Sequence, residues 1–186
     1  MDSELGRRLD KVTQEAVAIA GPGHWETGQT GSAHLTVRAL ETYRPSVDPA
    51  EPTVQRYRSA MERAAAAAGP ARVEVTGLTL TAGTVMASVV SLDAQADLFL
   101  DTFASELGPD GWYEQDERRD IWYFNLLHFT TDIPSPESLI TWVQENRSVS
   151  LGEVTIETAE LVRFHLAPTD RPHMRPEVFA SARLAG

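Results

Sequence analysis

The pattern histidine, apolar residue, threonine occurs twice in this chain, as His34-Leu35-Thr36 and His128-Phe129-Thr130, half a chain apart in 186 residues. The elements around the two copies recur in one order. Leu5, Leu9, Val12, Ala16 and Ile19 fall at helical spacing, and Gly21-Pro22-Gly23 ends that helix. A Gly- and Thr-rich loop leads into residues 32–40. There Ala33, Leu35, Val37 and Ala39 alternate with His34, Thr36 and Arg38, the signature of a half-buried strand. After a proline-rich loop, Thr53 is an N-cap candidate for a helix from Val54 to about Ala68, stopped by Gly69-Pro70. Strands at about 72–81 and 84–91 meet at Ala82-Gly83 as a hairpin.

The order then begins again. Asp93 opens a helix through Leu98, Phe103 and Leu107. The segment DIWYFNLLHFTT reads as a strand apolar on both faces until it reaches His128 and Thr130. Ser135-Pro136 is a good start for a helix through Trp142 and Val143, and strands at about 153–166 and 177–184 close the chain. A duplicated α-β-α-β-β unit explains the repeat. The expected fold is α/β in the α+β sense: a single bilobal domain over residues 1–186, with two mostly antiparallel sheets around a central cleft. The first lobe covers about 1–92 and the second about 93–186, with strands free to exchange between them. The two H-x-T strands would then occupy equivalent positions across the cleft.

Composition limits the chemistry. No apolar run approaches the roughly 18 residues of a membrane span, and the start MDSELGRRLDK lacks the apolar centre of a secretion signal. A monomeric cytoplasmic protein is the default expectation. Without cysteine there is no thiolate metal site and no cysteine nucleophile. The formal charge of −11 opposes binding to long double-stranded nucleic acid, while a small phosphorylated ligand in a locally positive cleft stays compatible with it. Lys11 is the only lysine and lies on the polar side of the first helix, so a phosphate loop of the G-x-x-x-x-G-K-[ST] type and a lysine nucleophile are not expected.

Along a strand, residues i and i+2 project from one face, so each H-x-T offers an imidazole beside a hydroxyl. Two such pairs facing each other make a set suited to phosphodiester cleavage. One neutral imidazole takes a proton from the attacking water or hydroxyl, and one imidazolium protonates the leaving oxygen. The threonine hydroxyls donate to the non-bridging oxygens as charge builds there. This logic calls for no cofactor and no metal. His34 and His128 are the catalytic candidates, and Thr36, Thr130 and Arg38 the phosphate-binding ones. Arg38 is equally readable as a surface arginine paired with an acid.

HLTV and HFTT, one in each half and each followed by a helix and a hairpin, resemble the motifs of the two-histidine phosphoesterase superfamily, the group of 2′,5′ RNA ligases and cyclic phosphodiesterases. The stretch VTGLTLTAGTVMASVV and the closing ELVRFHL and PEVFASARL are also similar to strands of that family, so the resemblance runs from Ser32 onward. It implies a bilobal fold with a central cleft, metal-independent phosphodiester chemistry, and catalytic roles for His34, Thr36, His128 and Thr130. The expected substrate is a small 2′,3′-cyclic phosphate or a 2′–5′-linked nucleotide, RNA ends included. ATP-independent ligation would be the same reaction reversed. The rival expectation is a catalytically inactive nucleotide- or phosphate-binding module of the same fold.

Trp25, Tyr43, Trp122 and Phe124 are candidates for stacking a base, set against the ordinary reading of strand aromatics as core. His24 reads as a solvated loop histidine, His165 as part of an exposed strand face and His173 as loop. Arg118-Arg119 reads as part of a solvated turn.

Overall fold

The computed structural model of the chain describes residues 4–116 and 121–186; Arg118-Arg119 lies outside the described residues. Its elements are α1 (Glu4–Ala20), α2 (Pro52–Ala67), β1 (Ala71–Leu80), β2 (Thr84–Ser91), α3 (Gln95–Leu107), a 3-10 turn (Gly108–Glu114), β3 (Trp122–His128), α4 (Pro136–Glu145), β4 (Gly152–Ile156), β5 (Thr158–Ala167) and β6 (His173–Arg183). Two antiparallel sheets form, as expected: a four-stranded one in the order β3-β2-β1-β4, and the β5-β6 hairpin. No helix among the described residues is long and apolar enough to cross a membrane.

Each sheet buries one face under helices. Leu5, Leu9 and Ala16 of α1 and Leu139 and Val143 of α4 join Val73, Val75, Val85, Ala87 and Phe124 in one cluster. Val54, Tyr57, Met61 and Ala64 of α2 join Leu161 of β5 and Leu184 in a second. Helix α3 serves both: Ala96 and Leu100 face the first cluster, and Phe99, Phe103 and Leu107 the second. Burial of these side chains is the main force holding the helices to the sheets.

Several expectations shift. Residues 32–40 are extended but form no ladder; their one bridge joins Leu35 to Phe124. The reason is that the segment crosses between the two cores. Leu35 packs on the first cluster, Leu40 on the second and Val37 on both, so neither sheet can hold the whole run in register. The strand expected over 153–166 is two strands. Its apolar side chains change phase at Glu157-Thr158, and there the chain leaves β1's edge for the hairpin. Helix α2 starts at Pro52 rather than Val54, with Glu51 at the N-cap position in place of Thr53. Proline suits that first turn because its φ is preset and its missing N–H would have had no helical partner.

Candidate active site

His128 reaches the open face of the sheet through a bulge. Val85 pairs with Leu127, but the next residue of β2, Met86, pairs with Asn125, leaving Leu126 as the extra residue of β3. Trp122, Phe124 and Leu127 therefore share the buried face with Val85, Ala87 and Val89, while Tyr123, Asn125 and His128 share the other with Ser88, Met86 and Thr84. Without that insertion His128 would follow Trp122 and Phe124 into the core, since side chains alternate strictly along a regular strand.

Behind His128 sits the loop that follows α1. Gly21 and Gly23 have φ of 93° and 96°, open to glycine and strained for other residues, and they turn the chain off the helix. Trp25 then forms a two-way bridge with His128, Trp25 N–H to His128 O at 3.0 Å and His128 N–H to Trp25 O at 2.9 Å, with ring centroids 6.3 Å apart. Gly28 N–H bonds Leu126 O at 2.9 Å. A side chain at Gly28 would meet Thr13 Oγ1 at 2.1 Å and Leu126 Cδ2 at 2.8 Å, so only glycine lets this loop lie so close to α1 and β3.

The same loop carries His34 to the hairpin. Arg171 holds Asp10 of α1 at 2.5 Å and Glu26 at 2.6 Å. Burial alone would raise the Asp10 pKa, but the Arg171 hydrogen bond helps bring it below the ordinary carboxylate value. Ser32 Oγ donates to Met174 O at 2.7 Å, and the His34 ring stacks on Phe164 of β5 at 4.3 Å. His34 Nδ1 lies 2.7 Å from Ser32 O. A carbonyl can only accept, so Nδ1 carries the proton and Nε2 is left as the acceptor in the neutral ring.

Both imidazoles are half-buried, and the first acts on the second. Burial holds the His34 pKa below its usual value, against an opposing pull from the Ser32 carbonyl. Burial lowers His128 too, and the nearby His34 charge lowers it further. Thr36 is half-buried two residues beyond His34. Thr130 donates its hydroxyl to Gly23 O at 2.6 Å and its main-chain N–H to His24 Nδ1 at 3.2 Å. Among the described residues, no group of three or more His, Asp or Glu side chains is arranged to hold a metal ion.

Other candidates sit elsewhere. Phe124 is fully buried, and Trp122 is 8% exposed with its indole N–H on Asp97 at 3.1 Å, so both are core aromatics rather than stacking surfaces. Tyr43 is exposed on the proline-rich loop. Arg38 donates to Gly111 O at 2.6 Å, beside the 3-10 turn, and its Nε is buried without a partner. Among the described residues, this guanidinium bonds main chain and not an acid. His24 is no solvated loop residue: it is 2% exposed, its Nε2 3.4 Å from Ala20 O and its ring edge-on to Phe129. His165 is partly buried with an unpartnered Nδ1, and His173 opens β6. Phe164 is the residue near the two motifs that sequence reasoning passed over. Position Phe164 had no spacing relation to His34 that could have flagged it.

The whole chain is similar in structure to TT0787 of Thermus thermophilus, with a TM-score of 0.72 over 100% of this chain and 94% of that one at 17% identity. That likeness shows the fold they share. No family model matches the sequence, and no curated protein matches it.

Proposed function

We propose that this chain is a metal-independent phosphodiesterase of the two-histidine phosphoesterase kind, acting on a small 2′,3′-cyclic phosphate or a 2′–5′-linked nucleotide. The observation that supports it most is that His34, from the first half of the chain, lies close enough to His128, from the second, for its charge to lower the His128 pKa. His34, with Nδ1–H on Ser32 O and Nε2 free to accept, suits the base that deprotonates the attacking water or hydroxyl. His128, as imidazolium, then delivers a proton to the leaving oxygen. In the reverse direction, which would give ATP-independent 2′,5′ ligation, the roles exchange.

Burial biases both rings toward the neutral form. A bound phosphodiester monoanion opposes that bias, because a neighbouring negative charge favours the protonated imidazole. The pair thereby gains its acidic proton when substrate arrives. Thr36 and, on release from Gly23 O, Thr130 would donate to the non-bridging oxygens.

The committed hydroxyl of Thr130 is the observation that favours the second reading, a non-catalytic nucleotide- or phosphate-binding module. Incubation with 2′,3′-cyclic phosphates and with 2′–5′ and 3′–5′ dinucleotides, EDTA present throughout, separates the two when run beside calorimetry on the same compounds. Product formation supports the enzyme; tight binding without product supports the module.

A further inference from the structure

The β5-β6 hairpin carries a bulge of its own. Leu161 pairs with Ala180, but the next residue of β5, Val162, pairs with Val178, leaving Phe179 as the extra residue of β6. Leu161, Phe179 and Ala180 all pack in the cluster under α2. Side chains alternate along β5, so Val162, Phe164 and Leu166 point away from α2. Arg163, between them, turns the other way, to Pro45 O at 2.5 Å and to Glu177. Phe164 packs in neither hydrophobic cluster of the described residues. Its ring meets the His34 imidazole instead, with centroids 4.3 Å apart and planes inclined by 28°.

A second restraint on that imidazole comes from the same hairpin. Ser32 is 1% exposed, and its hydroxyl donates to Met174 O of β6 at 2.7 Å. That bond anchors the residue whose carbonyl accepts Nδ1–H of His34 at 2.7 Å. Rotation of an imidazole about χ2 is soft by itself. Stacking restricts it, and the hydrogen bond chooses between the two ring edges, leaving Nε2 as the free acceptor. When Nε2 takes a proton, the imidazolium that forms lies over an aromatic face, which attracts a cation more than a neutral ring. Part of the contact therefore strengthens only as the proton is transferred.

Building on the phosphodiesterase reading, we infer that Phe164 is a positioning residue for the general base. It acts through His34, holding the ring so that Nε2 can accept the proton and favouring the charge that then appears.

Phe164→Leu keeps apolar bulk without a flat ring, and Phe164→Tyr keeps the ring. With a 2′,3′-cyclic phosphate, Phe164→Leu should lower kcat by about 3- to 30-fold and change KM by less than about twofold, while Phe164→Tyr recovers most of the loss. Phe164→Met gives the same readout if Phe164→Leu does not fold. Nitrogen NMR reads the ring without turnover: at about pH 8 the wild-type His34 should be a single Nδ1–H tautomer, and that of Phe164→Leu a mixture. Wild-type kcat in Phe164→Leu, a loss that Phe164→Tyr does not recover, or a wild-type ring already of mixed tautomer overturns the inference. No turnover in the wild type, with the tautomer fixed there and mixed in Phe164→Leu, overturns the phosphodiesterase reading and leaves Phe164 as the residue that holds the ring.

Discussion

His24 Nδ1 accepts the main-chain N–H of Thr130 at 3.2 Å, while the carbonyl of the preceding Gly23 takes the Thr130 hydroxyl at 2.6 Å. The second H-x-T is thus pinned from behind by the loop that ends α1. Because Nδ1 is the acceptor, Nε2 carries the ring proton and points to Ala20 O.

His24→Leu removes that acceptor from a buried site and should cost about 1–3 kcal/mol of stability, read from denaturant midpoints. Turnover should fall with it, in kcat more than in KM, since Thr130 is displaced rather than deleted. His24→Asn restores an acceptor and should recover most of kcat. Equal kcat in the Leu and Asn variants would deny the positioning role.

Much of this fold is readable from side-chain periodicity. The α1 stripe, the 84–91 strand and the Ser135-Pro136 helix start all appear where the pattern puts them. What escapes is whatever two distant segments decide jointly. The bulge at Leu126 is invisible in a run apolar on both faces, yet it alone turns His128 out of the core. Residues 32–40 alternate as a strand should, but their apolar side chains are divided between two clusters. Phe124 and Trp122 look like any aromatics near a motif until the register puts them on the buried face. The phase slip at Glu157-Thr158 leaves a local trace, two polar residues in succession that break a period of two, yet the strand expected over 153–166 runs straight through it.

Gly28→Ala places a methyl group 2.1 Å from Thr13 Oγ1. Overpacking of this kind should destabilise the protein by about 1–3 kcal/mol. Thr13→Ala in the same chain should return part of that loss by removing the clashing oxygen. Urea unfolding of the single and double variants checks this; a neutral Gly28→Ala contradicts the close approach of loop to helix.

Arg171→Met leaves Glu26, whose side chain is 8% exposed, without its ion partner. The expected loss is about 1–3 kcal/mol, and Glu26→Gln in the same chain should offset part of it. Thermal unfolding of the three variants measures both effects. No change in the Arg171→Met midpoint would mean that this ion pair does not tie the loop to the hairpin.

Folded-state pKa values lowered at both His34 and His128 fix the sign of a pH effect. Below the unfolded imidazole value of about 6.5, the unfolded chain binds more protons than the folded one. Stability contributed by the neutral rings is therefore full above about pH 6.5 and is lost as pH falls through their folded values. Asp10 acts at more acid pH: its depressed pKa contributes stability above about 3.8 that disappears as pH drops through the folded value. Urea midpoints across this range should fall below about pH 6.5 in the wild type and flatten there in the His34→Ala, His128→Ala double variant. A wild-type curve flat from about pH 7 to 5 would contradict the burial of the two rings.

The most direct measurement is turnover of a 2′,3′-cyclic phosphate in EDTA by wild type, His34→Ala, His128→Ala and the double variant. Each single replacement should lower kcat by at least about 10²-fold, and the double should fall little further, as members of one acid–base pair do. Full activity in both single variants would show that the two imidazoles do not act on one phosphorus.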